Sequence, residues 1–403
     1  RSSDLVADLG VAGRHRAVRE DDVAADAGVV ADVRTDQQHV GIADRRGAAA
    51  ERGAAVDGDV LADAVVVADT QLAAWSATQI AALSVTNFSQ LDATQVSGLS
   101  TTQIAGLGTT LVRGLSETDV AELSTTQLGA LSSTQISSLT STSFSALDAT
   151  QVGSLTTTQL RGLTATQIGG LTTTDMTELS ATQIGSLSTT QMSALSLTNF
   201  TALDATQVGG LTSTQIGALT TTKVSALDAT QVGAFTTTQI GGLTTTQIGA
   251  MNTTDIGEFA DTQIGAFSTT QLQALSSTNF SALAQAQIAA LSMTQISRMT
   301  ATQIGGLNTT DIAEFADTQI GALTNTQIGS LSTTNFSALD ATQVAGLSTT
   351  QVAGLSTTLI RGLNETDIAE LSTTQLRSFN ATQIGSLTAT AFSALDSSQV
   401  ASL

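Results

Sequence analysis

The sequence predicts an all-α solenoid of very short capped helices, one to each eight-residue repeat. Three observations carry that prediction. An octad runs without slip from Val67 to Ser402, forty-two times, and Leu403 opens another. Its second position is Ser, Thr, Asp or Asn in 37 of the 42, and its fifth is Gln in 28. Its first position is Leu in 33, and its sixth is always apolar.

Take "LTTTQIGA", Leu243 to Ala250. The hydroxyl at position 2 accepts the backbone N–H three residues on, while the glutamine at position 5 reaches back to the cap's own N–H. That is a capping box, and it starts a helix. Leu at position 1 and Ile or Val at position 6 then stand at the two ends of a hydrophobic staple. A continuous α-helix does not fit, because eight residues rotate the apolar pair by about 80° per octad. A continuous strand fails too, since positions 1 and 6 would face opposite sides of a sheet. The chain must turn within each octad, and helices this short need stacked neighbours to bury their staples. Ala68, Ala260 and Ala316 lack a capping side chain, but Asp69, Asp261 and Asp317 follow, so the cap is expected to move one place. Position 4 is Thr in 40 octads, Ala286 and Ser398 being the exceptions. With only two large apolar residues in eight, these threonines are expected to turn their methyls inward and bond their hydroxyls to neighbouring backbone. A β-solenoid is the alternative, favoured by the β-branched content.

Residues 1–66 use another vocabulary of Ala, Val, Asp, Arg and Gly, without Phe, Tyr, Trp, Lys or Met. So little bulky apolar matter predicts a disordered or weakly structured segment, with a weak flanking domain or a misassigned reading frame as alternatives. The chain has no Cys and no Pro, and its two histidines, His15 and His39, lie in this segment. Disulfides, thiolate metal sites and cysteine nucleophiles are thereby excluded. The net charge of −20 comprises 8 Arg against 13 acids in 1–66 and 6 basic against 21 acidic residues in 67–403. Such a chain repels nucleic acid and anionic lipid. No apolar run approaches the ~18 residues of a membrane span, and no signal peptide opens the sequence, which reads as a piece of something longer.

A longer period lies over the octads. Phe takes position 6 at Phe88, Phe144, Phe200, Phe280, Phe336 and Phe392, spaced 56, 56, 80, 56 and 56. Asp takes position 5 at Asp119, Asp175, Asp255, Asp311 and Asp367, each 25 residues before a Phe. The unit of duplication is seven octads, with three extra in the longer interval, where "LDATQV" occurs at both Leu203 and Leu227.

The phrases "LSTTQIAGL", "LTTTQIGAL" and "LSTTQVAGL" resemble the Leu/Thr/Gln/Ile octapeptide arrays of large bacterial surface and secreted adhesin-like repeat proteins, over residues 67–403. The resemblance implies an exported structural spacer or adhesive scaffold at the cell surface or outside the cell, with surface or matrix macromolecules as partners. It supplies no catalytic or binding residues.

The chemistry-bearing candidates are five acidic pairs: Asp119 and Glu122, Asp175 and Glu178, Asp255 and Glu258, Asp311 and Glu314, Asp367 and Glu370. Carboxylates at i and i+3 share a helix face and could hold Ca²⁺, which makes a calcium-responsive secreted module the second functional reading. Against it, Asp replacing Gln near a helix start is explained by the macrodipole alone, and no calcium-loop motif is present. A third reading treats the threonine column as an ice- or polysaccharide-binding array. No histidine, nucleophile elbow or phosphate loop falls in the octads, so no cofactor and no enzyme activity is expected. Arg113, Arg161, Arg298, Arg361 and Arg377 read as scattered solvated charges.

Overall fold

The computed structural model describes residues 33–35, 38–40 and 69–403. It comprises two compact units, Arg1–Leu203 and Asp204–Leu403. Within residues 1–66, strands Val33–Thr35 and Gln38–Val40 pair antiparallel, with Arg34 opposite His39. The other expectations for 1–66, and Ala68 as a cap, lie outside the described residues.

Among the described residues, every octad forms one helix of four to six residues. Seventeen of them, from Asp69–Ala73 to Leu197–Thr201, belong to the first unit, and twenty-five, from Ala205–Gly209 to Ser397–Ser402, to the second. Among the described residues the octads contain no strand, so the β-solenoid alternative is not taken.

The octad opening at Leu99 shows why. Leu99 (φ −70°, ψ 131°) and Ser100 (φ −69°, ψ 156°) are both extended and make the corner. The helix Thr101–Ala105 then starts on a closed capping box: the Gln103 N–H donates to Ser100 Oγ at 3.3 Å, and the Ser100 N–H donates to Gln103 Oε1 at 2.7 Å. It stops where the Leu107 N–H turns back to the Ile104 carbonyl at 3.1 Å and the next corner begins. Ile104 and Leu107, the sixth position of one octad and the first of the next, are both buried. The expected staple positions are therefore the core.

In each unit a helix packs on the third one along: 77–81 on 101–105, and 101–105 on 125–130 in the first, 245–250 on 269–274 in the second. Three octads, 24 residues, make one coil. The small residues at positions 7 and 8 let coils approach closely. A Cβ on Gly162 would stand 2.7 Å from the Ser133 carbonyl oxygen 29 residues earlier, and one on Gly362 would strike the Thr333 side chain. The 24-residue coil also explains the extra octads of the longer interval. Helices 205–209 and 229–233, which carry the two "LDATQV" phrases, lie one on the other, so the insertion is one whole coil.

The glutamine column ties coil to coil. Gln127 Oε1 accepts from the Ser124 N–H at 2.9 Å within its own octad. Its Nε2 donates to the Val96 carbonyl at 2.6 Å and the Leu99 carbonyl at 2.9 Å, at the C-terminal end of helix 93–98, one coil and one octad earlier. Gln271 repeats this in the second unit, donating to Ile240 and Leu243 at 2.8 Å each. Helix ends leave carbonyls without intrahelical partners, and in a fold made almost wholly of helix ends the glutamine amide supplies them. One side chain thus closes a start and an end.

Two local expectations are corrected. Every described residue at position 4, from Thr78 to Ser398, is exposed, and the threonine hydroxyls there take no part in the side-chain bonds of caps or coils, although the N–H of some, such as Thr230 and Thr254, donates to the capping Asp or Asn. Position 4 is the second residue of its helix and points away from the axis, whereas the core is completed by the buried glutamine stem at position 5. The cap also does not slide at Ala260 and Ala316. Each keeps the capping position without a side-chain acceptor, and its N–H still donates to Gln263 or Gln319 Oε1, at 2.9 and 3.0 Å. Asp261 and Asp317 take instead the N–H of the next residue, Thr262 or Thr318, at 2.7 and 2.8 Å. The glutamine half of the box, tied to the coil beneath, holds the register.

Candidate functional site

The 25-residue spacing from Asp to Phe is one coil plus one residue, so each Phe octad stands directly over an Asp octad, as helices 141–144 over 117–121 and 277–281 over 253–257 do. One coil below the Asp octad is an octad capped by aspartate: Asp92, Asp148, Asp228 and Asp340, with Ala284 in the remaining place. The seven-octad unit, two coils and one octad long, therefore stacks its first, fourth and seventh octads on one side of the solenoid. An Asp cap lies at the bottom, the Asp and Glu pair in the middle and a buried Phe on top.

In the middle octad the aspartate replaces the coil-tying glutamine. Its Oδ2 accepts from the capping N–H of its own helix: Ser116 at 2.7 Å for Asp119, Thr172 at 2.6 Å for Asp175, Asn252 at 3.0 Å for Asp255, Asn308 and Asn364 at 2.8 Å for Asp311 and Asp367. A serine 30 residues earlier, next to the Phe of the preceding unit, donates to the same oxygen in four cases: Ser89 to Asp119, Ser145 to Asp175 and Ser337 to Asp367 at 2.6 Å, and Ser281 to Asp311 at 2.5 Å. These five aspartates are buried. A carboxylate has acceptors only, so it keeps the cap, loses the tie to carbonyls and takes a hydroxyl donor in its place.

Glu122, Glu178, Glu258, Glu314 and Glu370 are half-buried at position 8. Burial pushes each carboxyl above the ordinary glutamate range, and the aspartate of the same helix pushes the same way. For Glu122, Glu178, Glu258 and Glu370 the Asp cap of the coil below adds to the effect. The pairs predicted from the sequence are thus together in space, with the aspartate committed to the cap. Among the described residues no group of three or more Asp, Glu, His or Cys side chains is arranged to hold a metal ion.

Two features escaped the sequence reading. Lys223, the one lysine, is buried at position 5, where burial lowers its pKa. Its signal was plain: a cation in a column otherwise held mainly by glutamine. The other is a shallow recess of about 450 Å³ between Gln285, Ala289, Glu314 and Phe315, where "LAQAQIAA" departs from the Asp-capped pattern. Glu314 is the one ionisable side chain in its lining, so it presents no acid–base couple.

Residues 120–157 match the ALTTAQ repeat family. No curated protein matches the chain. Together with the helical coils, the match makes this a repeat-containing structural protein.

Proposed function

We propose that the octad array is a spacer or adhesive scaffold of a larger exported bacterial surface protein, extracellular or cell-surface in location and without enzymatic activity. The observation that supports this best is the glutamine tie. It is repeated coil after coil, so load applied along the chain is shared by many equivalent side-chain bonds. Similar Ser and Thr faces recur in nearly every octad, and many weak similar contacts gain avidity without any single strong site. Surface or matrix macromolecules are the partners that suit it. A net charge of −20 disfavours nucleic acid, and among the described residues no helix is long and apolar enough to cross a membrane. The assignment is tested by antibody labelling and added protease on intact cells. Reaching the array there supports it, and an array reached only after lysis overturns the surface location.

The exposed threonine column favours a second reading, an ice- or polysaccharide-binding face. Position 4 is the most uniform polar position and is exposed throughout, whereas position 3, often more covered, varies freely. Ice-growth inhibition and sedimentation with insoluble polysaccharide test it, and inactivity in both removes it.

A further inference from the structure

We infer that each acidic stack of three octads is a proton-responsive joint: at neutral pH a glutamate charge is held against aspartates in the coil interface, and on mild acidification it takes up a proton and the interface tightens. Position 8 is where coils approach most closely. A Cβ on Gly106, which occupies that position, would lie 3.0 Å from the Ala77 Cβ of the coil below. Each glutamate is thus carried over the first helical residue of the lower octad, which is Ala93, Ala149, Ala229 or Ala341 in four stacks, beside its Asp cap. In the stack of Glu178 one carboxylate oxygen is buried with no hydrogen-bond partner, the arrangement a proton relieves.

The charged groups facing each glutamate are all acidic. Glu122 meets Asp119 and Asp92, Glu178 meets Asp175 and Asp148, Glu258 meets Asp255 and Asp228, and Glu370 meets Asp367 and Asp340. Glu314 meets Asp311 alone, since Ala284 stands where the others have a cap. The helices above, 141–144, 197–201, 277–281, 333–336 and 389–393, carry no ionisable side chain. A carboxyl whose folded pKa is raised contributes stability that is fully present below its unfolded pKa and is lost as pH rises through the folded one. The array therefore gains stability as pH falls from neutrality toward the ordinary glutamate range.

The stack of Glu314 is a built-in control. The full chain has nine glutamates, few enough for carboxyl ¹³C NMR titration after glutamate labelling. Glu122, Glu178, Glu258 and Glu370 are expected to titrate above the ordinary glutamate range and above Glu314, and Ala284→Asp is expected to move Glu314 up to join the four. Titration of the four in the ordinary glutamate range, or a Glu314 that ignores Ala284→Asp, overturns the inference. A second arm replaces all five glutamates by glutamine. The native chain's melting temperature should rise more between about pH 7 and about pH 5 than the variant's. Equal rises mean that general charge repulsion is responsible and contradict the joint.

Discussion

Gln127 and Leu99 are joined across one coil: the glutamine Nε2 donates to the leucine carbonyl at 2.9 Å while its Oε1 caps the helix from which it projects. An amide is the one side-chain head that accepts at one atom and donates twice at another in this geometry. Glu would cap but turn a second acceptor on the carbonyls, and Lys would bond the carbonyls but not the cap. Gln127→Ala is expected to cost about 2–6 kcal/mol, from four side-chain bonds at roughly 0.5–1.5 kcal/mol each, and Gln127→Glu to cost more. Amide hydrogen exchange should show the loss concentrated in the two coils that Gln127 joins, with distant coils still protected.

The close approach of coils makes glycines unequal. A side chain at Gly162 meets the Ser133 backbone, whereas a Cβ on Gly153 has nothing within 4 Å. Gly153→Ala should be neutral or stabilise by up to about 1 kcal/mol, the helix-propensity gain. Gly162→Val should destabilise by about 1–3 kcal/mol, the usual range for overpacking. Thermal melts of the two variants beside the native chain decide it.

Whole coils should be removable where single octads are not. Deleting residues 211–234, one coil, puts Asp204 in the place of Asp228 beneath Glu258 and leaves every later stack in register. Circular dichroism should show unchanged helicity per residue and a melting temperature within a few degrees of the native one. Deleting residues 211–218 leaves Asp228 beneath Glu258 but shifts helix 229–233 by one octad against 205–209, on which it packs, and removes 213–217 from beneath 237–240. Exchange protection of residues 229–240 should then fall.

Calcium should have no specific effect. The aspartates are occupied by N–H donors and, in four of the five, by a Ser hydroxyl, and the described residues include no metal-holding cluster. Melts in millimolar calcium and in equal magnesium should coincide. A rise with calcium alone would turn the acidic pairs into ligands after all.

The helix in every octad was legible because a capping box is local: Ser100 and Gln103 are three residues apart. The number of octads in a coil was not, since it is set by two extended corner residues such as Leu99 and Ser100, which carry no spacing signature of their own. It lay unread in the 25-residue step from Asp119 to Phe144 and the 24-residue step between the "LDATQV" phrases. The second use of glutamine was hidden for the same reason, as its carbonyl partners lie 28 and 31 residues away. The threonine column lies outside although two large apolar residues in eight leave a lean core, because the buried glutamine at position 5 completes that core and Thr is compatible with both faces. At the acidic pairs the residues were legible and their setting was not: it depends on Asp92 and Ser89, which belong to octads a coil or more earlier.

Three octads per coil is the central claim, and disulfide trapping tests it most directly, since the chain has no cysteine of its own. With Ala77→Cys as the fixed partner, Gly106→Cys is 29 residues away and its Cβ lies about one contact distance off, near the range a disulfide bridges. Gly98→Cys and Gly114→Cys, one octad to either side, are the registers of two and four octads per coil. Mild oxidation should close the Ala77→Cys/Gly106→Cys pair within one chain and neither of the others. Closure of either neighbour in preference to Gly106→Cys would contradict the coil, and with it the glutamine ties and the acidic stacks built on that register.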